Sequence, residues 1–185
     1  LRRSRGLGDV YKRQQYCCGT ERIYVMDDIY DEFVGEVVSI TKTLIQSNDC
    51  KGDVGPTFWD KQIEIIEDHV KDAIDKGAKV LVGGKRNPNF EGLYFEPTVL
   101  TEVTHEMKIM KDETFGPIIS IMKVSSEEEA LMLANQSHYG LNGNVWTKDL
   151  IKGKKLAQSI ETGACSVNDM AMSYGVNEVP FGGVK

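Results

Sequence analysis

Short apolar segments alternate with helical segments of ten or more residues along this chain, and no other feature constrains its fold as strongly. The pattern predicts strands at residues 23–25, 79–82, 94–100, 118–124, 144–146 and 164–168. The strand at 79–82 is expected to be buried, and Pro97 is expected to interrupt the strand at 94–100. The same pattern predicts helices at residues 29–46, 58–76, 126–135 and 148–160, the third beginning with a capping box of Ser126 and Glu129. A connection that contains such a helix can join parallel strands. The sequence therefore predicts an α/β fold with a mostly parallel sheet and flanking helices.

The first two helices carry apolar residues at helical spacing, which are predicted to face a core. In the first helix, with Asp27 or Asp28 as N-cap, these are Ile29, Phe33, Val37, Ile40 and Leu44. In the second helix, which ends at Gly77, they are Ile63, Ile66, Val70 and Ile74. Gln62 also lies on the second helix, and a polar residue there is expected at the surface.

The distribution of charge argues against nucleic acid as a partner. The formal net charge is −6, but residues 1–14 hold five basic residues and one acidic residue, so the rest of the chain carries −10. An acidic body offers no clustered lysines and arginines to neutralise phosphates. No apolar run reaches the eighteen or so residues that span a bilayer, so no membrane partner is expected either.

The cysteines and histidines do not predict a metal site. The four cysteines have no CxxC spacing, and adjacent Cys17 and Cys18 would not both reach one tetrahedral zinc ion. His69, His105 and His138 are far apart in the sequence and show no ligand spacing. The absence of a disulfide framework favours a reducing, cytoplasmic setting.

Residues 1–14 are set apart from the rest by more than their charge. They lack the apolar stretch of a secretory signal, and they are too short and serine-poor for a transit peptide. The string from Asp9 to Gln14 looks like the translation of a transposase adaptor used in sequencing libraries. We expect residues 1–14 to be a non-native segment and residues 15–185 to form the domain.

Cys17 is the first candidate for chemistry, in the segment Gln-Tyr-Cys-Cys-Gly-Thr-Glu-Arg at residues 15–22. A cysteine is most often a small buried hydrophobic residue, but a thiolate near the edge of a sheet can act as a nucleophile. A second candidate is the segment Glu-Thr-Phe-Gly-Pro at residues 113–117. Read alone, Glu113 is a solvated acid and Phe115 a core aromatic residue. The last six residues, 180–185, read Pro-Phe-Gly-Gly-Val-Lys.

Taken in this order and spacing, these segments resemble the aldehyde dehydrogenase superfamily across residues 15–185. The resemblance places the nucleophile at Cys17, five residues before Arg22, with Cys18 as a bystander. One departure is Gln14, where the family usually has glycine. The resemblance implies an aldehyde dehydrogenase catalytic domain, truncated at both ends.

The family mechanism and its cofactor carry over by resemblance only. The resemblance implies that the Cys17 thiolate adds to an aldehyde. Hydride would then pass to NAD or NADP, which would leave a thioester that water hydrolyses. Glu113 would accept hydrogen bonds from the ribose hydroxyls, and Phe115 would pack beside the ribose and nicotinamide. Tyr16, Asp169 and Phe181 would line the substrate pocket, with residues 169–179 at its entrance.

The same resemblance implies that parts of the enzyme lie elsewhere. In the family, the dinucleotide-binding domain, the general-base glutamate and the oxyanion-hole asparagine precede the nucleophile, and an oligomerisation strand follows the last motif. We therefore expect the isolated chain to be inactive and its parent protein to be a homodimer or homotetramer. The alternatives are a CoA-acylating aldehyde dehydrogenase, a non-catalytic structural or binding homologue, and a thiol hydrolase that pairs Cys17 with a histidine.

Overall fold

The computed structural model describes residues 15–49, 51–170, 178 and 180–185. Strands and helices are interspersed along this part of the chain, which forms two compact units that divide after Ser125. The strands are β1 (Arg22–Met26), β2 (Lys79–Val82), β3 (Thr98–Thr101), β4 (Ile118–Val124), β5 (Asn142–Val145) and β6 (Ala164–Val167). The α-helices are α1 (Tyr30–Thr41), α2 (Asp60–Asp75), α3 (Lys108–Lys111), α4 (Glu127–Asn135) and α5 (Leu150–Ser159). The predicted α/β class is confirmed.

The sheet of the first unit has the strand order β1-β4-β3-β2. Strand β4 runs parallel to both β1 and β3, whereas β2 pairs antiparallel with β3 at the edge. In the pairing of β1 with β4, Arg22 lies beside Ser120 and Met26 beside Val124. The sheet is therefore mostly parallel, as the sequence predicts.

Two helices cover opposite faces of this sheet. Leu100 and Ile118 pack with Ile66 and other α2 residues in one apolar cluster. Their chain neighbours Val99 and Ile119 pack with Val37 of α1 in a second cluster. Because successive strand residues point to opposite faces, and both faces are covered, β3 and β4 read as continuous apolar runs.

The first helix departs from its prediction at both ends. A single 3-10 turn (Asp27–Ile29) precedes it, and no side chain caps its first turn. The helix then ends at Thr41, five residues before the predicted end, and the chain turns toward a bridge between Gln46 and Val54. As a result Ile29 is 49% exposed and does not join the predicted core face, while Val37 is fully buried.

The second helix follows its prediction closely, with one exception. Helix α2 ends in a Schellman motif, in which Ala78 N donates to Ala73 O at 2.9 Å and Gly77 N donates to Ile74 O at 3.0 Å. Gly77 has φ of +100°, a conformation that favours glycine. Ile74, in the last turn, is 45% exposed, so the prediction that it faces the core is wrong.

Two strands also differ from their predictions, β2 in its exposure and β3 in the residue at which it begins. Strand β2 was expected to be buried, but it is an edge strand with alternately exposed residues. Strand β3 begins only after Pro97, because proline cannot donate to a ladder within a sheet.

The second unit pairs β5 with β6 in a separate parallel sheet. Ser126 caps α4, since its Oγ accepts a hydrogen bond from Glu129 N at 3.1 Å, as predicted from the sequence. Asp149 caps α5 by accepting from Ile151 N and Lys152 N, both at 3.0 Å. That helix ends before Gly163, where close packing requires glycine, because a Cβ there would overlap the carbonyl oxygen of Gly182.

Candidate active site

Cys17 occupies a tight turn immediately before β1. Gly19 N donates to Tyr16 O at 2.8 Å, which closes a four-residue turn with Cys17 and Cys18 at its centre. Cys17 is exposed, whereas Cys18 is 5% exposed and belongs to the core. The two sulfur atoms are 3.8 Å apart. The turn therefore presents one thiol to solvent and buries its neighbour.

A second turn, immediately before β4, carries Glu113 and Phe115. Glu113 is exposed and Phe115 is half-buried, with Thr114 buried between them. Phe115 has φ of +51°, in the left-handed region that few residues other than glycine adopt. The turn thus holds an acidic and an aromatic side chain toward solvent on a constrained backbone.

Glu21 joins these two turns. Its carboxylate accepts hydrogen bonds from Thr114 N at 2.9 Å and from Phe115 N at 2.8 Å, one on each oxygen. Glu21 is four residues beyond Cys17 in the sequence and more than ninety residues before its two partners. Burial raises the pKa of Glu21, and the two backbone hydrogen bonds oppose that increase.

Helix α2 holds the second turn from the other side. Gln62 Nε2 donates to Thr114 O at 2.5 Å, and His69 Nδ1 shares a hydrogen bond of 3.0 Å with Thr114 Oγ1. Gln62 is only 8% exposed, so the expectation that it lies at the surface is wrong. Burial lowers the pKa of His69, because the charged imidazolium is poorly solvated there.

Close packing fixes the residue that follows Phe115. A Cβ at Gly116 would lie 2.6 Å from Ile66 Cδ1 and 2.7 Å from Ile66 Cγ1. Ile66 is fully buried on α2 and has little room to move. Glycine is therefore required at residue 116 for this turn to approach the helix.

Sheet topology explains why the two turns meet. Strands β1 and β4 are parallel neighbours, so the segments that precede them arrive at the same edge of the sheet. Cys17 lies five residues before β1, while Glu113 and Phe115 lie five and three residues before β4. Neighbouring strands are about 4.8 Å apart. The segment that holds Cys17 and the Glu113–Phe115 segment consequently share one edge.

The residues predicted to line the substrate pocket lie in different parts of the structure. Tyr16 is half-buried in the turn with Cys17. Asp169 and Phe181 belong to the second unit, where Asp169 O accepts a hydrogen bond from Ser166 Oγ at 2.8 Å and Phe181 is 48% exposed. Residues 171–177 and 179, also predicted at the pocket entrance, lie outside the described residues. The pocket assignment stays a prediction.

The histidines of the first unit contact other partners. His69 bonds Thr114, and His105 Nε2 shares a hydrogen bond of 2.9 Å with Tyr24 Oη. Each contact engages one of the two ring nitrogens, and a cysteine–histidine dyad needs only the other, so the thiol hydrolase stays an alternative. No group of three metal-ligating side chains occurs within the described part of the chain. No helix there is long and apolar enough to cross a membrane.

Comparison with known proteins identifies the class of protein that this fold and these motifs define. The model of the aldehyde dehydrogenase family matches residues 8–185. The chain belongs to the aldehyde dehydrogenase family.

Individual relatives support the same assignment. The chain is 43% identical to a Mycobacterium ulcerans protein provisionally named succinate-semialdehyde dehydrogenase [NADP(+)] 2, over 92% of this chain and 33% of the relative. It is 39% identical to 3-sulfolactaldehyde dehydrogenase from Priestia aryabhattai, over 92% of this chain and 35% of the relative. Betaine aldehyde dehydrogenase from Staphylococcus aureus, solved in complex with NAD+, superimposes with a TM-score of 0.88 at 33% identity, over 98% of this chain and 37% of the other. The chain thus spans about a third of the length of the curated relatives it matches.

Proposed function

We propose that this chain is the nucleophile-bearing part of an enzyme that oxidises an aldehyde to a carboxylic acid with NAD+ or NADP+. Cys17 is the nucleophile. The observation that carries the proposal is the edge shared by the exposed Cys17 turn and the Glu113–Phe115 turn, with Glu21 bonded between them. This arrangement pairs a nucleophilic sulfur with a potential ribose-binding carboxylate.

The residues of the second turn fit a nicotinamide cofactor. The Glu113 carboxylate is exposed and accepts hydrogen bonds only, which suits a vicinal diol. Phe115 offers a partly exposed aromatic face beside it. NAD+ or NADP+, when bound, supplies the acceptor for the hydride. The names of relatives include both a protein solved with NAD+ and one named for NADP(+), so we propose no choice between them.

Cys17 performs the covalent chemistry. Its thiolate forms a C–S bond to the aldehyde carbon, and the carbonyl electron pair moves to oxygen, which gives a thiohemiacetal oxyanion. A well-placed backbone N–H would stabilise this oxyanion by about 3–4 kcal/mol. The C=O bond then re-forms as hydride leaves the carbon, which oxidises the aldehyde to a thioester. Water oxygen then bonds to the thioester carbon, the C–S bond breaks to release the carboxylic acid, and one proton of the water returns to the Cys17 sulfur.

The test compares two adjacent cysteines in the complete enzyme that carries this chain. We expect Cys17→Ala to reduce kcat/KM by a thousandfold or more, on the order of the loss seen when a nucleophile is removed. Cys18→Ala is the matched control, because it changes a neighbouring buried thiol with no assigned role, and it should retain most of the activity. The measurement is aldehyde-dependent NAD(P)H formation, with mass spectrometry of the acylated peptide.

The results separate the remaining alternatives. An acyl group on the peptide that contains Cys17 supports the mechanism, whereas an active Cys17→Ala variant would refute it. Formation of acyl-CoA in place of carboxylate when CoA is supplied would assign the enzyme to the CoA-acylating class. A complete wild-type protein with no activity toward a panel of aldehydes would favour a non-catalytic homologue.

A further inference from the structure

We propose that Glu21 is a positioning residue of the cofactor site, an inference that rests on the proposed function. Glu21 does not need to touch the cofactor to act. Its carboxylate binds the backbone of the two residues that follow Glu113, at 2.9 Å for Thr114 N and 2.8 Å for Phe115 N. Through this contact the nucleophile segment sets the position of Glu113 and Phe115.

The contact needs a carboxylate because both of its partners are donors. Two successive N–H groups point at one side chain, and an ionised carboxylate offers an acceptor oxygen to each. A glutamine in the same place offers one acceptor and one N–H2 group, which would face the remaining backbone N–H. Replacing Glu21 with glutamine therefore exchanges one hydrogen bond for the repulsion between two N–H donors, while the size of the side chain hardly changes.

The backbone that Glu21 binds is not one the chain would adopt without support. Phe115 has φ of +51° in a non-glycine residue, which is uncommon. Such conformations persist where surrounding contacts fix them. The bond from Phe115 N to Glu21 Oε1 is one such contact, and it acts on the strained residue itself.

The opposite side of the turn is already fixed by α2, so Glu21 supplies the contact that is specific to the nucleophile segment. Gln62 binds the carbonyl oxygen of Thr114 and His69 binds its hydroxyl group. With Glu21 on its N–H, every polar group of Thr114 is engaged. Loss of Glu21 should leave the turn attached to α2 and free it from the edge where Cys17 lies.

The central experiment measures cofactor binding in the complete enzyme. We expect Glu21→Gln to raise the dissociation constant of NAD+ or NADP+ about tenfold, and to raise the KM for cofactor more than that for aldehyde. The rate of Cys17 alkylation by iodoacetamide should stay within twofold of wild type. Glu91→Gln is the matched control, because Glu91 is an exposed acid remote from this turn in the sequence, and it should change none of these quantities.

A double-mutant cycle with Glu113 distinguishes positioning from a general loss of stability. If Glu21 acts through Glu113 and its turn, Glu21→Gln should weaken cofactor binding much less in a Glu113→Gln background than in wild type. Fully additive effects would overturn the proposal. Glu21→Asp keeps the charge with a shorter reach, and an intermediate dissociation constant is expected; this variant decides the question if Glu21→Gln does not fold.

The outcome can be separated from that of the proposed function. Wild-type activity that depends on Cys17, together with an unchanged cofactor dissociation constant in Glu21→Gln and Glu21→Asp, would refute the role of Glu21 alone. A wild-type enzyme without NAD(P)-dependent activity would refute the proposed function first.

Discussion

Thr114 shows how one residue can join its own turn to the segment before β1 and to helix α2. Its N–H is bound by Glu21 before β1, and its carbonyl and hydroxyl groups are bound by Gln62 and His69 of α2. Thr114 is 3% exposed, so the folded protein would be destabilised if any of these polar groups were left without a partner. All the polar groups of Thr114 are therefore bonded within the protein. Its neighbours, the exposed Glu113 and the half-buried Phe115, are the residues of the turn that reach solvent.

The titration of His69 gives a prediction about pH. Burial lowers the folded-state pKa of His69 below its usual value of 6.5, so the fold favours the neutral ring. Its contribution to stability is therefore present above pH 6.5 and is lost as the pH falls through the lowered pKa. We expect hydrogen exchange in α2 and in the 112–117 turn of the complete enzyme to accelerate as the pH falls below 6.5, after correction for intrinsic rates.

Replacement of the ring provides the control for this effect. His69→Gln keeps a polar group near Thr114 and removes the titration, so the extra pH dependence should disappear in that variant. His138→Gln alters an exposed histidine of the second unit, and the extra pH dependence of hydrogen exchange should persist in that variant. An identical pH dependence in His69→Gln and wild type would show that another group is responsible.

Sequence reasoning located some of these residues and not others. Cys17, Glu113 and Phe115 stand out because each lies in a recognisable local motif. Glu21 and Gln62 do not, because their partners are backbone groups of Thr114 and Phe115, which are 52 or more residues distant in the sequence. A glutamine on a helix is ordinarily exposed, and only the tertiary packing of α2 against the turn shows that Gln62 is buried.

Among the elements, α2 lies close to its predicted bounds, α1 departs from them at its end, and the short helix α3 was not predicted. Helix α2 has a long, regular apolar stripe and a glycine stop, so its bounds match the prediction within two residues at the start and one at the end. Helix α1 ends early although apolar residues continue at helical spacing to Leu44. Beyond Thr41 the chain makes long-range contacts, with Gln46 Nε2 donating to Phe95 O at 2.9 Å, and periodicity within the sequence cannot report such contacts.

The packing of α2 against the turn yields a test at Gly116. A methyl group there would overlap Ile66 Cδ1 and Cγ1, so we expect Gly116→Ala to destabilise the complete enzyme by about 1–3 kcal/mol, as overpacking of a core does. Cofactor affinity should fall as well, because the turn must move away from α2. The measurements are the midpoint of urea unfolding and the dissociation constant of the cofactor.

A second-site change checks the cause. Ile66→Val removes the Cδ1 methyl group and should recover part of the lost stability in the Gly116→Ala background, although it costs about 0.5–1.5 kcal/mol alone. Gly55→Ala is a suitable control, because a Cβ there meets no atom within 4 Å. No recovery in the double variant would place the strain elsewhere in the turn.

At the scale of the whole molecule, the chain carries the proposed nucleophile and ribose contacts within its first unit. It nevertheless spans only about a third of the length of its curated relatives. From the family resemblance, we expect the dinucleotide-binding domain and the general base to lie outside this sequence. We therefore predict that the 185-residue chain alone forms no NADH or NADPH in the presence of aldehydes, when assayed at enzyme concentrations a thousandfold above those used for the complete protein.

Thiol labelling gives this assay an internal reference. Rapid alkylation of Cys17 relative to Cys18 in the isolated chain would show that the turn forms and exposes the proposed nucleophile as described. Aldehyde-dependent formation of NADH by that chain would contradict the prediction, and it would mean that residues 15–185 contain every group the reaction needs.

The pairing of β1 with β4 also bears on how such a protein tolerates insertions and deletions. Since the two turns are neighbours through the ladder, their separation does not depend on how many residues connect them, and surface loops such as residues 88–92 are free to vary in length. One residue added between Cys17 and Arg22 is a different matter, because it would shift the thiol or the Glu21 carboxylate out of phase with the strand. Among homologues, indels should therefore be frequent in the long intervening stretch and nearly absent between Cys17 and Arg22.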